Sequence, residues 1–474
     1  MLNIHWREYI MDIQDYMKAF IDTFYENKQD IQQGKPIELI PNDTINALKN
    51  TTITENGRDL DSLLKMLEES VYPFRNVSEH KRNFAFIPAP VVDISKLGDL
   101  FESFYNPNAA GFYSSSGTAV VEEEMMAYLC EKAGYNPQKA SGTFLSGGSM
   151  ANLNATIAAR DKYLSLDDIT RGVVYISDQA HHSVHKALHV IGIPDERIRR
   201  VKTDDQLKID PTALQEIIKA DKKNALRPFI VIATAGTTNA GVIDPLTELA
   251  KICKEEDMWL HVDGAFGASV LLSSSHTHLL KGIEQADSIT WDAHKWLFQS
   301  YSCAMLLVKD KADLLRSFSE TPEYLEDASE NEHINTWDLG LDLSRPARGV
   351  KLWLSMQALG TKKLGDTIDY GIKLAEYTES VVRNTPKLDI VTPAQTAILN
   401  FRYYREGLSE EELNSFNTAL SNMISNQGFA QILTTKLQGK TVLRMCTISP
   451  ETTQEDIDKT IEHISTCVEK LETN

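Results

Sequence analysis

At 474 residues the chain is too long for one compact hydrophobic core, so its length predicts two domains. The net charge of −19 argues against a nucleic-acid or anionic-membrane surface, because both require clusters of Lys and Arg. The apolar runs fall well short of the ~18 residues that a membrane span needs. Five scattered cysteines without a CxxC pair, and an N-terminus without a signal-like apolar stretch, lead us to expect a reduced, cytoplasmic protein.

The first predicted element is an amphipathic helix. Its apolar residues recur at intervals of three and four and are Ile10, Ile13, Met17, Phe20 and Phe24. Such a helix needs a surface to cover, either in its own chain or in a second copy. With the shorter helices that follow, it forms a predicted N-terminal helical segment at residues 1–82.

An aromatic segment, Asn83–Pro90, comes next and contains two prolines. Proline fixes φ and removes a backbone donor, so the pattern predicts a stiff, extended loop. Its aromatic residues either fill the core or line a pocket.

A glycine-rich turn follows a short apolar segment within Gly142–Ala155. Gly147, Gly148 and Ser149 precede a helical pattern, and free N–H groups at a helix N-terminus can bind a phosphate. An ordinary serine N-cap is the alternative. The sequence also nearly matches the nucleophile elbow of a serine hydrolase, but Ala151 stands at the last glycine of that motif.

The stretch from Val173 to Val308 alternates strands with helices, which predicts an α/β domain at residues 83–350. The candidate strands are Val173–Ile176, Phe229–Ala233, Trp259–Val262, Ser288–Thr290 and Ala304–Val308. Their near-continuous apolar character is typical of a mostly parallel sheet covered on both faces. Ligands of such sheets bind beyond the carboxyl ends of the strands. The polar residues just past these ends are His181, Thr237, Thr238, Asp263 and Asp292–Lys295, which predicts one site along that edge.

A connecting amphipathic helix from about Arg345 leads to a predicted small C-terminal α+β domain, residues 351–474. Its candidate strands are Ala397–Phe401 and Thr441–Met445. Thr452 and Glu455 have the spacing of a capping box before the last helix.

Lys295 is the residue around which the site is organised. Burying an ammonium at a strand end is costly, but a buried lysine loses its proton more easily and can form a Schiff base with an aldehyde cofactor. Asp263 lies 32 residues earlier, about one helix plus one strand, which places it on a nearby strand. It either caps the next turn or pairs with a cationic heterocycle nitrogen, with small Ala265 leaving room for a flat ring.

Four histidines, His181, His182, His185 and His189, have helical spacing that could suit a metal. No HExxH and no second Cys or His cluster supplies the remaining ligands, so we expect no metal. The alternative is that His181 stacks on a planar ring and that the others are surface or packing residues.

Four motifs together resemble the group II pyridoxal-phosphate-dependent amino acid decarboxylases, and most closely the aromatic-L-amino-acid decarboxylases. They are Ser177-Asp-Gln-Ala-His181, Thr234-Ala-Gly-Thr-Thr238, His261-Val-Asp-Gly-Ala265 and Asp292-Ala-His-Lys-Trp296. The resemblance extends over nearly the whole chain. It implies a fold-type I transferase-like architecture with a seven-stranded-type sheet, pyridoxal 5'-phosphate as cofactor, and a homodimer with the active site at the subunit interface. The N-terminal helices would then pack across the dimer.

The resemblance assigns the ring contacts residue by residue. Lys295 would form the Schiff base with the cofactor, and Asp263 would pair with the pyridinium nitrogen and keep it protonated. His181 would stack on one ring face, with Ala265 against the other.

The remaining roles follow in the same way. Gly148 and Ser149 would hold the phosphate, with help from His294 and the Asp292 turn, and Thr238 matches a threonine near the cofactor. The implied reaction is loss of CO₂ from an amino acid, in which the cofactor ring is the electron sink.

Phe86 and Ile87 match positions that line the substrate pocket in the family. With the aromatic character of the Phe84–Ile87 segment, they favour tryptophan, phenylalanine, tyrosine or hydroxylated forms as substrates. A glutamate-type enzyme would need a cationic group for the distal carboxylate, and the sequence places none near this loop.

One position departs from the family. Eukaryotic members carry a tyrosine on a mobile loop that helps to protonate Cα, whereas counting back from Ser344 gives Thr336-Trp337 here. The proton donor is then His181, Lys295 or water, or an aldehyde forms by oxidative deamination. An aldehyde synthase or aminotransferase on the same scaffold, and a non-catalytic binding protein, are the other hypotheses. The polar loop at residues 323–342 is predicted to be a lid or a plain connector.

Overall fold

The computed structural model describes residues 6–87, 90–320 and 333–473. No helix in these ranges is both long and apolar enough to cross a membrane. The helices of the described residues, numbered in chain order, are α1 Trp6–Glu26, α2 Lys28–Gln33, α3 Asn42–Lys49, α4 Leu60–Ser70, α5 Asp93–Tyr105, α6 Ser116–Lys132, α7 Gly148–Tyr163, α8 His182–Val190, α9 Pro211–Lys223, α10 Leu246–Glu256, α11 Ala312–Phe318, α12 Arg348–Leu359, α13 Thr361–Arg383, α14 Glu410–Asn426 and α15 Gln454–Thr473.

A seven-stranded, mostly parallel sheet forms the larger body. Its strands are β1 Ser141–Leu145, β2 Gly172–Ser177, β3 Ile198–Val201, β4 Arg227–Thr234, β5 Trp259–Asp263, β6 Ser288–Trp291 and β7 Ala304–Val308. The spatial order is β1-β7-β6-β5-β4-β2-β3. β7 runs antiparallel to both of its neighbours, β1 and β6, and the other neighbouring pairs are parallel. Strands β2, β5, β6 and β7 are buried along their whole length, because helices pack on both faces. The predicted α/β architecture is therefore confirmed.

A four-stranded antiparallel sheet forms the smaller body, in the order β10-β11-β9-β8. Its strands are β8 Leu388–Thr392, β9 Ile398–Tyr403, β10 Leu433–Leu437 and β11 Lys440–Cys446. Helices α13, α14 and α15 pack with this sheet around a separate apolar cluster. Phe84 belongs to that cluster, whereas Ile87 belongs to the core of the larger body, so the Asn83–Ile87 segment joins the two.

Four strands were not predicted from the sequence patterns, and their composition explains why. β1 is Ser-Gly-Thr-Phe-Leu and has few apolar residues, and β3 carries two arginines on an edge of its sheet. β8 and β10 are the edge strands of the small sheet and contain polar residues on their open sides.

The predicted capping box is wrong by one residue. Thr453 accepts from the Asp456 amide (3.2 Å), and Asp456 Oδ2 accepts from the Thr453 amide (3.0 Å). The Thr452 hydroxyl instead donates to the Lys81 carbonyl (2.6 Å), and Glu455 pairs with Lys459. Two consecutive threonines make the register ambiguous in sequence.

The apolar face predicted for the first helix is present and largely exposed. Ile13, Met17 and Phe20 of α1 are exposed, and Phe24 is half-buried. The Ile10 side chain lies outside the described residues. Lys96 of α5 lies over the Phe24 ring, so the described residues cover this face only in part. The divisions at residues 82 and 350 stay predictions.

Candidate active site

The carboxyl ends of the parallel strands meet at one edge of the sheet and enclose a cavity of about 310 Å³. β5 ends at Asp263, and β6 is followed by Asp292–Lys295. All nine residues predicted to contact a cofactor line this cavity: Gly148, Ser149, His181, Thr238, Asp263, Ala265, Asp292, His294 and Lys295.

Lys295 is half-buried, and a carboxylate holds its amine. Its Nζ lies 3.2 Å from Asp292 Oδ2, and His294 Nε2 lies 3.6 Å from the same oxygen. Asp292 is buried and its Oδ1 has no hydrogen-bond partner among the described residues. Burial lowers the pKa of His294, an effect that Asp292 opposes. The amine is thus fixed inside the cavity beside an acceptor that a ligand can use.

Asp263 is a buried acid with both oxygens engaged by N–H donors. Asn152 Nδ2 donates to Asp263 Oδ2 (3.0 Å), and the Ala265 amide donates to Oδ1 (3.2 Å). Such a carboxylate at the floor of a cavity is suited to pair with a protonated ring nitrogen.

His181 is the N-cap of α8, and the cap fixes its ring. Its Nδ1 accepts from the Ser183 amide (3.2 Å) and lies 2.8 Å from Ser183 Oγ. Burial lowers the pKa of His181, while Asp263 raises it. The residue nevertheless keeps an exposed surface and lines the cavity. A neutral, planar imidazole is suited to stack on a flat ligand.

The glycine-rich turn lies at the N-terminus of α7. A Cβ on Gly148 would lie 2.9 Å from Asp292 Oδ2 and 3.3 Å from Ala265 Cβ, so a side chain would displace these groups. The first amides of a helix have no acceptor within the helix. Gly148 and Ser149 therefore form a cradle of backbone donors suited to an anion.

The two predicted substrate-pocket residues do not line this cavity. Phe86 is exposed, and Ile87 is buried in the core of the larger body. Neither belongs to the cavity wall formed by the described residues of this chain.

Thr336 and Trp337 also lie outside the cavity wall. The Thr336 hydroxyl donates to the Ala109 carbonyl (2.8 Å), the Trp337 amide donates to the Ala110 carbonyl (3.0 Å), and the indole packs on Gly111. Part of the predicted lid, residues 321–332, lies outside the described residues.

Four residues near the site escaped sequence reasoning. Asn152, Ser183 and Tyr301 line the cavity. Arg444 of β11 donates to the Thr238 carbonyl (2.8 Å) and to the Ala85 carbonyl. Burial lowers the pKa of Arg444. The sequence alone places no cation near the aromatic loop, whereas the structure places Arg444 there. The antiparallel pairing of β11 with β9, which the sequence leaves open, accounts for this position.

The histidine cluster has local partners. His185 Nε2 lies 3.2 Å from Asp195 Oδ1, and the rings of His182 and His185 stack at 6.1 Å. Within the described ranges, no three His, Cys, Asp or Glu residues form a group that could hold a metal ion.

An amine on a strand end, a buried acid on the next strand and a glycine cradle for an anion together define a site for pyridoxal phosphate. These features fit its aldehyde, ring nitrogen and phosphate respectively. Residues 41–404 match the pyridoxal-dependent decarboxylase conserved domain. The chain belongs to this family and is a pyridoxal-phosphate-dependent carboxy-lyase acting on amino acids.

Several relatives extend over nearly the whole chain. An aromatic-L-amino-acid decarboxylase from Bacillus atrophaeus is 39% identical and covers 93% of this chain and 92% of its own length. Tryptophan decarboxylase 2 from Oryza sativa is 30% identical, covering 94% of this chain and 90% of itself. An acidic amino acid decarboxylase from Bos taurus is 29% identical, covering 95% of this chain and 89% of itself.

A crystal structure of Oryza sativa TDC with PLP and tryptamine superposes with a TM-score of 0.92 at 26% identity. The alignment covers 97% of this chain and 98% of that one. The predicted fold-type I architecture is thereby confirmed, whereas the choice of amino acid is not decided by relatives that act on different substrates.

Proposed function

We propose that this enzyme decarboxylates aromatic L-amino acids, namely tryptophan, phenylalanine, tyrosine or their hydroxylated forms, to the corresponding amines and CO₂. The observation that carries the proposal is the convergence of Lys295, Asp263 and His181 on one cavity. The substrate class is supported by the relative of 39% identity, an aromatic-L-amino-acid decarboxylase.

The chain's own residues would hold the cofactor. The Lys295 amine would bind the aldehyde covalently, Asp263 would accept the ring N–H, and His181 and Ala265 would enclose the ring. Gly148, Ser149 and His294, with the turn at Asp292, would bind the phosphate, and Thr238 would lie against the cofactor. When bound, pyridoxal phosphate supplies an electron sink for the bond that breaks.

Few groups near the cavity could hold the proton on the ring nitrogen or deliver a proton to Cα. Asp263 would keep the ring nitrogen of the bound cofactor protonated, which would strengthen the electron sink. Once CO₂ is lost, Cα would need a proton, for which we propose His181, Lys295 or water as the source. His294 and the phenol of Tyr301 also line the cavity. Thr336 and Trp337 contact Ala109–Gly111 of their own chain, so no phenol is supplied from that segment.

Acidic amino acids are a second candidate substrate class. Arg444 is a buried cation beside Ala85 and Thr238, and two hydrogen bonds to carbonyls leave other N–H groups of its guanidinium available. A distal carboxylate near this loop would find a positive partner there.

Product analysis from a mixed pool of aromatic and acidic amino acids tests the substrate class. We expect amines from one or more aromatic substrates. Amine from glutamate or aspartate, and none from any aromatic substrate, would replace the first candidate with the second. Measuring CO₂, ammonia, peroxide and aldehyde in the same reactions separates decarboxylation from the aldehyde-forming alternative, which the absence of tyrosine at Thr336-Trp337 favours.

We also propose that the enzyme acts as a homodimer. Helix α5 presents an uncovered apolar face, formed by Leu97, Leu100, Phe101, Phe104 and Tyr105, and the apolar face of α1 is open as well. Exposed patches of this kind are typical of interfaces. Sedimentation should give the mass of two chains, and Phe101→Asp should shift it toward one. Leu166→Asp, at an exposed leucine elsewhere, is the control. A monomeric wild-type enzyme would refute the proposal.

The five cysteines are all buried and unpaired, which is compatible with a reducing compartment. On this ground we propose a cytoplasmic location.

A further inference from the structure

Asn152, in α7, is the centre of a buried hydrogen-bond network behind the cavity. Its Nδ2 donates to Asp263 Oδ2 and lies within hydrogen-bond distance of Ser183 Oγ, both at 3.0 Å. Its Oδ1 accepts from Thr290 Oγ1 (2.7 Å) and lies 3.0 Å from His261 Nε2. Both Asn152 and His261 are buried, so these groups depend on one another rather than on water.

The protons of this network can be assigned by elimination. The carboxylate of Asp263 only accepts, so the amide nitrogen of Asn152 faces it and the amide oxygen faces His261. An amide oxygen only accepts, so His261 carries its proton on Nε2. His261 Nδ1 then accepts from Ser288 Oγ (2.7 Å), which in turn accepts from Trp259 Nε1 (2.8 Å).

The other branch reaches His181 by the same logic. Ser183 Oγ accepts from Asn152, so its own proton is free to donate to His181 Nδ1 at 2.8 Å. The Ser183 amide donates to the same nitrogen. His181 is therefore left with its proton on Nε2. Burial lowers the pKa of His261 to about 4, so the pattern persists at neutral pH.

We propose that Asn152 and His261 are positioning residues that orient the two proposed ring contacts, Asp263 and His181, through a single donor pattern. The inference rests on the proposed role of Asp263 toward the ring nitrogen. Removing the network leaves the cofactor contacts in place but takes away the N–H that orients the Asp263 carboxylate. The loss of affinity should therefore appear only for a ligand that has the ring nitrogen. A general loss of structure would instead weaken the binding of ligands with and without this nitrogen.

Titration of the apoenzyme tests this, with binding followed by fluorescence. The ligands are pyridoxal phosphate and its 1-deaza analogue, in which carbon replaces the ring nitrogen. We expect Asn152→Ala to weaken binding of pyridoxal phosphate by about tenfold and binding of the analogue by less than about twofold. Asn154→Ala, at a buried asparagine two residues along α7 whose Nδ2 donates to the Met150 carbonyl, is the matched control and should change neither.

Substitutions at His261 add a rescue. His261→Gln can still donate toward Asn152 Oδ1 and should retain affinity within about threefold, whereas His261→Leu should lose about tenfold. If Asn152→Ala does not fold, Ser288→Ala is the second variant. It removes the donor to His261 Nδ1 and the acceptor of Trp259 Nε1 but leaves Asn152 in place, and it should give a smaller loss in the same direction.

Two results would overturn the inference, and they differ. If wild-type enzyme binds both ligands equally, Asp263 does not pair with the ring nitrogen, and the proposed role fails as well. If the wild-type enzyme discriminates but Asn152→Ala loses affinity for both ligands alike, or Asn154→Ala gives the same change, Asn152 is only structural.

Discussion

Lys295 is placed for covalent chemistry by its own short turn, since Asp292 lies three residues before it and holds its Nζ. We predict that Lys295→Ala lowers amine formation by about 10³-fold or more, because Lys295 is the only lysine in the cavity wall formed by the described residues. Borohydride reduction of the holoenzyme should label wild-type protein and leave the variant unlabelled in mass spectrometry. Lys186→Ala, at an exposed lysine of α8, should behave as wild type. Equal labelling of both variants would place the cofactor bond elsewhere.

Adding a single carbon atom at Gly148 tests the proposed anion-binding turn. Because an added Cβ would lie 2.9 Å from Asp292 Oδ2, Gly148→Ala should weaken pyridoxal phosphate binding by about tenfold. Gly117, in the first turn of α6, has open space at its Cβ position, so Gly117→Ala is a matched control and should have no effect. Fluorescence titration of the apoenzyme measures both, and an unchanged affinity in Gly148→Ala would exclude close contact at this turn.

Site residues could be predicted from the sequence where the type of side chain is unusual for its position. Lys295 and Asp263 follow buried strands, where an ionisable group needs a reason, and both line the cavity. Asn152 and Ser183 give no such signal, because a polar residue on a helix is ordinary. Only the fold brings four polar side chains, Asp263, Ser183, His261 and Thr290, around Asn152. Arg444 is missed for a related reason, since strand pairing in the small sheet decides its neighbours.

Among the elements, α6 and the chain before α12 are joined by a buried ion pair. Glu122 of α6 pairs with Arg345 and also accepts from the Gly349 amide (2.7 Å). Arg345 Nε donates to Thr336 Oγ1 (3.1 Å), so the pair also fixes the end of the predicted lid.

We predict that Glu122→Ala lowers the free energy of unfolding by about 3–5 kcal/mol, because it leaves the buried charge of Arg345 without the opposite charge of Glu122. The double variant Glu122→Leu/Arg345→Met should recover much of this loss, since two apolar side chains replace the charges. Urea denaturation of the holoenzyme measures all three proteins. A double variant as unstable as Glu122→Ala would mean that packing, not charge, is the cause.

The central strands could be predicted from sequence because burial on both faces makes them continuously apolar, as in β2 and β5. Edge strands such as β3 and β8 pair with one neighbouring strand only and are partly exposed to solvent. They therefore contain polar residues, and their composition resembles that of a loop. The capping box failed by one residue because Thr452 and Thr453 are equivalent until the chain's path is known.

For the molecule as a whole, the sequence shows an aldehyde-cofactor site on a parallel sheet but not how its two bodies meet. The Asn83–Ile87 segment joins them, with Phe84 in one core and Ile87 in the other, and Arg444 bonds across to the carbonyls of Ala85 and Thr238. These contacts join residues hundreds of positions apart, so no local pattern encodes them. The exposed apolar residues of α1 and α5 would lie at the interface of the proposed homodimer.

The pH dependence of stability is a property of the whole molecule. The contribution of His80 to the unfolding free energy is predicted to decrease on acidification. His80 is buried, its Nε2 donates to the Gly34 carbonyl (2.9 Å), and its Nδ1 accepts from the Arg82 amide (3.0 Å). Burial, reinforced by Arg82, lowers the pKa of His80 to about 4, against about 6.5 in the unfolded chain. The unfolded state therefore binds the proton first on acidification. The stability contributed by neutral His80 is complete above about pH 6.5 and is lost as the pH falls toward 4.

Asp244 has the opposite sign, because burial raises its pKa to about 6 and acidification then favours the folded state. The two groups titrate over overlapping pH ranges, so the change in unfolding free energy of the wild type alone does not separate them. Asp244 contributes equally to the wild type and to His80→Gln, so its contribution cancels when the two proteins are compared. Between pH 7 and pH 5 the wild type should lose about 2 kcal/mol more unfolding free energy than His80→Gln, whose amide can still donate to the Gly34 carbonyl. Urea denaturation at both pH values measures the difference, and His189→Gln, at an exposed histidine, should follow the wild type. Parallel pH curves for wild type and His80→Gln would show that His80 is protonated equally in both states.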